Sequence, residues 1–172
     1  DSYDLWVFEL ERDELAAQFR RHRYLFARGG VHTQLPNFLI NFHKVDTAED
    51  MAAYIARVNQ IATRLDQTID RSQMAAQDGV RMPRFAYERS IQEMRRVVSG
   101  QPFDAEGPDS PLWADAKAKI AALKAAGKLP PAPPPVPEGE RMPLQLDRMD
   151  EEALLHRMRV TLTTSVKDGY GR

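Results

Sequence analysis

The stretch TAEDMAAYIARVNQIATRLDQTIDRSQMAAQDGVRMPRF, Thr47 to Phe85, decides the fold. Met51, Tyr54, Ile55, Val58, Ile61, Ala62, Leu65 and Ile69 recur at three- and four-residue steps. That spacing lines one face of a helix. Thr47, with Asp50 three positions on, forms a capping-box pattern in which Asp46 is the competing cap. A helix over 48–77 would be about 45 Å long at 1.5 Å per residue. Such a helix outlasts the core of a small bundle. It points to an extended bundle or to a piece of a larger body.

The end of the stretch has a physical account that needs no ligand. Gly79 is placed to end the helix in a left-handed conformation. Pro83 is placed in the first turn of the next helix, where its missing N–H costs nothing, and Met82 before it is pushed out of the helical region. A phosphate loop would need more glycine or a Gly-Lys-Ser/Thr sequence. A helical corner is therefore favoured over a site. The following helix is expected over 83–98, with Phe85, Ile91, Met94 and Val98 inward.

The flanking segments are also helical. Leu5, Phe8, Leu15, Phe19 and Phe26 share a stripe with Arg12 and His22, which predicts a helix over 4–27 that Gly29-Gly30 stops. In the link VHTQLPNFLINFHK, Pro36 is expected to start a brief helical turn burying Phe38, Leu39 and Phe42. Ser110 as cap and Pro111 at the first position start a helix over 111–126, carrying Trp113, Ala116, Ile120 and Leu123 and closing at Gly127. The run KLPPAPPPVPEGERMP is polyproline-like, because successive prolines cannot donate to helix or sheet. It reads as a semi-rigid spacer in preference to a Pro-x-x-Pro ligand. The last helix starts near Asp147 or Asp150 and buries Met149, Ala153, Leu154, Met158, Leu162 and Val166. The expectation is an all-α, extended antiparallel helical bundle with a long central helix, a Pro-rich linker before the last helix and no sheet of note. Its organisation is a helical region over 1–128, a Pro-rich linker over 129–146 and a final, truncated helix over 147–172.

Composition removes several classes of chemistry. The chain has 172 residues, enough for one domain with a real core. Lys and Arg number 24 and Asp and Glu 25, for a formal charge of −1. This balance gives no global attraction to nucleic acid or to an anionic membrane. Without cysteine the chain has no disulfide, thiol nucleophile, thiolate zinc site or iron–sulfur cluster. No apolar run is long enough to span a bilayer. The acidic start DSYDLWVFELERDEL lacks the order of a signal peptide.

Catalytic motifs are missing too. None of His22, His32, His43 and His156 stands in H-E-x-x-H, which would place two imidazoles on one helical face. Glu152 and His156 are four apart, a spacing that suits a surface ion pair better than a metal site. His32 and His43 flank the Pro36 link and could converge, but satisfied loop histidines are the favoured reading. No G-x-S-x-G occurs. The basic cluster Arg20 to Arg23 follows Glu9, Glu11, Asp13 and Glu14 by one or two turns, so it reads as a self-paired exposed face. Arg95-Arg96, and Arg157 with Arg159, read the same way. No catalytic, cofactor-binding or metal-binding residue is assigned.

The ordered elements Leu35 to Phe42, Thr47 to Arg57 (Thr-x-Glu-Asp through Tyr-Ile-x-Arg), Leu65 to Ile69 (Leu-Asp-Gln-x-Ile) and Gly79 to Pro83 (Gly-Val-x-x-Pro) resemble a bacterial family catalogued as domain of unknown function 885. The resemblance runs from about Asp4 to Arg172, with Pro130 to Pro137 a local elaboration. It implies a long, mostly helical parent similar to zinc metallopeptidases, many of them exported. Their His-Glu zinc motif would lie downstream of this region. The chain departs from that pattern in holding no His-Glu pair. The resemblance therefore implies an N-terminal helical fragment that contributes a cleft wall or lid and has zinc and peptide substrate only through the rest of the parent. The alternative is a non-catalytic helical interaction or peptide-binding module.

Overall fold

The computed structural model describes residues 1–19, 23–132 and 148–171. Eight α-helices are present among them: α1 (Ser2–Gln18), α2 (Val31–Phe42), α3 (Ala48–Asn59), α4 (Ile61–Gln77), α5 (Arg84–Val97), α6 (Pro111–Ala125), α7 (Glu151–Thr161) and α8 (Lys167–Gly171). A π-helical segment, Leu162–Val166, joins α7 to α8. The fold is all-α. One isolated bridge between Gln101 and Asp109 is the β-structure among the described residues.

The long central helix exists and is bent. Its capping box forms as the sequence indicates. The Asp50 N–H donates to Thr47 Oγ1 at 3.1 Å and the Thr47 N–H to Asp50 Oδ2 at 3.0 Å. The Asp46 N–H also donates to that carboxylate, so these contacts hold Asp50 below the usual carboxylate range. At Gln60 the helix breaks into α3 and α4. There ψ flattens to −6° and the Gln60 N–H turns to the Arg57 carbonyl, three residues back. Apolar spacing continues through the bend, and Val58, Ile61 and Leu65 are all buried.

Gly79 ends α4 with φ +81°. The Val80 N–H reaches the Ala75 carbonyl and the Gly79 N–H the Ala76 carbonyl, the paired bonds of a Schellman ending. Pro83 has extended backbone and caps α5 from outside, one residue before its expected place. Phe85 and Ile91 do not face inward. They are exposed, while Ser90 is buried and donates to the Phe26 carbonyl.

Two further expectations are corrected. The first helix ends at Gln18, not at residue 27, and none of its residues is buried. Beyond it the chain turns sharply. Gly29 adopts φ +70°, and a Cβ on Gly30 would lie 2.5 Å from the Leu25 carbonyl oxygen. The link after Gly30 is a 12-residue helix, α2, which runs through Pro36. In a helix the missing Pro36 N–H would have paired with the His32 carbonyl. That carbonyl instead accepts from the Tyr170 hydroxyl. Burial pushes the Tyr170 phenol far above its ordinary range, so it stays protonated as the donor. Leu39 is buried as expected, whereas Phe38 and Phe42 are exposed and stack on each other at 5.7 Å.

The core lies where α3 and α4 meet α6 and the α7–π–α8 arm. It contains Met51, Tyr54, Ile55, Val58, Ile61 and Leu65, then Leu112, Trp113, Ala116, Ile120 and Leu123, then Leu154, Met158, Leu162, Val166 and Tyr170. Asp150 caps α7 by accepting from the Ala153 N–H. Met149 and Ala153 are half-buried and not enclosed. Most of the proline-rich run, residues 133–147, lies outside the described residues, as do Arg20, Arg21 and His22.

Candidate functional site

The histidines do not meet. His32 sits in the first turn of α2 and His43 caps its other end, so at 1.5 Å per residue they are roughly 16 Å apart. His32 is wholly buried, and its Nε2 lies 3.0 Å from Glu93 Oε2 on α5. With that nitrogen donating, Nδ1 is a buried acceptor with no partner. Chiefly through this contact, the Glu93 carboxyl is held below its usual range. His43 accepts at Nδ1 from Arg57 Nη1 at 2.8 Å. Burial, with Arg57 adding to it, lowers the His43 pKa and keeps the ring neutral.

The C-terminal end of α2 is tied down by a further polar cluster. Lys119 Nζ donates to the Leu39 and Ile40 carbonyls and to Asp115 Oδ2. The same carboxylate accepts from the Tyr54 hydroxyl at 2.7 Å, and Lys119 lies 4.7 Å above the Tyr54 ring. Burial and the Asp115 carboxylate raise the Tyr54 pKa far above normal. Every donor in this cluster has an acceptor within the fold. Its role is to cap a helix end.

Among the described residues the remaining charged groups gather at no centre. Glu152 and His156 are exposed on α7 and no ion pair joins them. Arg95 and Arg96 are exposed. Arg157 and Arg159 are not a self-paired face: Arg159 lies 5.5 Å over Trp113, and Arg157 is half-buried with Nη1 unbonded. Among the described residues no three His, Cys, Asp or Glu side chains gather as metal ligands would.

Among the described residues, two surfaces stand out. The first is α1, on which Tyr3, Leu5, Trp6, Phe8, Leu10 and Leu15 are all exposed. At about 100° per residue, Leu5, Phe8 and Leu15 form one stripe and Tyr3, Trp6 and Leu10 another on the opposite side. The sequence reading saw the first stripe and missed the second. Among the described residues no other helix packs extensively on α1. The second surface is a polar groove of about 320 Å³ lined by Asn59, Gln60, Ala62, Thr63, Asp66, Thr164, Ser165 and Asp168. It lies between the bend at Gln60 and the π-helical segment. The Ser165 hydroxyl donates to Asn59 Oδ1 across it. Gly169 lets α8 approach closely, since a Cβ there would lie 2.8 Å from Ala62 Cα. Sequence reasoning named none of these residues as a site. Their two halves lie about a hundred positions apart, and the Ala62–Gly169 pairing of small residues was the one available signal.

A family model described as bacterial protein of unknown function (DUF885) matches residues 1–170. No curated protein and no solved structure matches the chain.

Proposed function

The chain belongs to the DUF885 family, and on that footing we propose that it is a non-catalytic helical portion of a zinc metallopeptidase-like parent. In this reading it forms part of the wall or lid of a peptide-binding cleft. The observation that carries the reading is α1. A helix that is apolar on two opposite sides belongs between two neighbours. Burying a large apolar side chain contributes about 1.5–3 kcal/mol, so six of them leave on the order of 10 kcal/mol for further polypeptide to collect. Anionic lipid is a poor cover, because α1 carries Asp4, Glu9, Glu11, Asp13 and Glu14 against Arg12 alone. The described residues do not fit a zinc centre. The ion implied for the parent is then held by residues elsewhere.

Hydrogen exchange, compared between this chain alone and the parent, tests the reading. Amides of α1 should exchange quickly in the isolated chain, since an unsupported helix of this length is marginal. They should become protected in the parent. Equal exchange in the two would refute the cover. Peptidase activity of the isolated chain in the presence of a chelator would refute its non-catalytic role.

A further inference from the structure

We propose that α1 docks on α5 of a second copy of this chain. One helix offers the row Tyr3, Trp6, Leu10 and Glu14, and the other the row Arg84, Tyr87, Ile91 and Arg95. This goes beyond the placement of the chain in a larger body. It assigns one side of α1 to a second copy and leaves the side of Leu5, Phe8 and Leu15 to the parent.

Charge selects the partner. α1 carries five carboxylates against Arg12, and at about 100° per residue they fall between its two apolar stripes. Whatever covers a stripe meets carboxylates at its rim. A second α1 is a poor cover, because like charges would face each other. α5 has the opposite balance, with four arginines against Glu88 and Glu93. Glu93 is already held by His32 and Arg89. Arg95 and Arg96 are exposed, and among the described residues the ion pairs of α5 are made by Arg84 and Arg89 instead. Among the described helices, α5 alone joins net positive charge to several exposed large apolar side chains, Phe85, Tyr87 and Ile91.

Spacing selects the rows. Tyr3, Trp6, Leu10 and Glu14 follow at steps of three, four and four, as do Arg84, Tyr87, Ile91 and Arg95. Such steps keep residues on one side of a helix. The apolar members of both rows are open to solvent, Trp6 at 63%, Leu10 at 46%, Tyr87 at 44% and Ile91 at 46%. Laid side by side in register, Trp6 meets Tyr87, Leu10 meets Ile91 and Glu14 meets Arg95. Tyr3 then faces Arg84, a cation–π pairing. The other stripe of α1 lacks this match, since Arg12 stands within it and would face arginine. Among the described residues α1 and α5 of one chain make no extensive contact. Each copy offers one α1 and one α5, so a reciprocal exchange uses both and closes a two-fold dimer. Two single-helix contacts lie at the small end of interface sizes, below roughly 1,200 Å². The dimer is therefore transient and forms on the order of 0.1 mM. Well below that concentration α1 is uncovered and exchanges quickly, as the reading above requires.

The test is sedimentation of the whole chain from about 10 μM to about 1 mM, with tryptophan emission recorded alongside. Trp113 is buried already, so a change in emission reports Trp6. The average mass should rise towards that of a dimer, and emission should shift to the blue with the same midpoint. Trp6→Ala should weaken association at least about tenfold with the circular dichroism kept, because the side chain is exposed. Glu14→Lys and Arg95→Glu should each weaken it about tenfold, since the pair occurs twice in the dimer. Combined in one chain, the two reversals should restore it. A mass that stays monomeric throughout would overturn the dimer while leaving the parent's cover, read by exchange, standing. Association untouched by Trp6→Ala, or a combined variant no better than the single ones, would overturn the assigned rows. A blue shift without a rise in mass would place α1 on its own chain and overturn the second copy. Growth past the dimer would overturn the reciprocal exchange.

Discussion

Gly79→Ala and Gly100→Ala form a matched pair that tests how the corners of this fold are held. Both glycines have left-handed backbone, at φ +81° and +82°. Their surroundings differ. A Cβ at Gly79 meets nothing within 4 Å, whereas one at Gly100 runs into the Pro108 carbonyl oxygen. At Gly79 the cost is therefore the backbone alone. A left-handed L-residue costs roughly 1–2 kcal/mol, and the lost unfolded-state entropy of glycine returns about 0.4–1 kcal/mol. The net loss is about 1 kcal/mol, or roughly 2–4 °C in melting temperature for a domain of this size. At Gly100 the loop must also move. It is fastened by the Gln101 N–H to Pro108 carbonyl bond and the Ser110 N–H to Gln101 carbonyl bond, each 2.8 Å. Overpacking there adds about 1–3 kcal/mol. Urea and thermal unfolding followed by circular dichroism would measure both losses. Asn at position 79, which tolerates this conformation, should lose less than Ala. A Gly79→Ala variant as stable as the parent chain, or equal losses at the two positions, would show that the Schellman ending does not hold the α4–α5 corner as argued.

Two other outcomes follow from the polar ties and the close helix approach. His43 has a lowered pKa in the fold, so between its ordinary value near 6.5 and its folded value the unfolded chain binds the extra proton. Stability should fall as pH drops below about 6.5, and His43→Gln should flatten that fall in urea titrations over roughly pH 7 to 5. An unchanged slope would mean that the ring titrates alike in both states. Gly169→Ala should push α8 from α4 and cost about 1–3 kcal/mol. Adding Ala62→Gly should recover little of it, because the nearest atom is the Ala62 Cα, which glycine keeps, and full rescue in thermal unfolding would show that the two backbones do not touch as described.

What was legible in the sequence was local. The capping box at Thr47 and Asp50, the glycine at Gly79 and the Pro111 start act within four residues, so residue type and spacing suffice to read them, although the Ser110 hydroxyl at the cap position makes no capping bond. The bend at Gln60 was hidden because burial runs without interruption from Val58 through Ile61 to Leu65. A continuous stripe is what a straight helix would also show. The inward face of α5 was misread for another reason. Phe85 and Ile91 carry the apolar signal but are exposed, whereas Met94 and Val98 do pack on the core and the polar ties to the body come from Ser90 to the Phe26 carbonyl and from Glu93 to His32. On α1 the spacing of Leu5, Phe8 and Leu15 defines one stripe, and a single-face pattern does not reveal the second, formed by Tyr3, Trp6 and Leu10 on the opposite side.

Pro36 shows why the site-like residues were the wrong ones to weigh. Read locally, a proline begins a helix. Here it lies inside one, and the Tyr170 hydroxyl, 138 residues beyond His32, takes up the carbonyl that its N–H would have paired with. The buried polar groups then arrange themselves around the same helix. His32 and Glu93 anchor its first turn. At its last turn, Lys119 takes two carbonyls and Arg57 takes His43. Histidines, an ion pair and a perturbed tyrosine would ordinarily suggest chemistry. In this chain they are spent on holding a proline-containing helix at both ends. The apolar sides of α1, exposed at Leu5, Trp6 and Phe8, take no part in this scaffold.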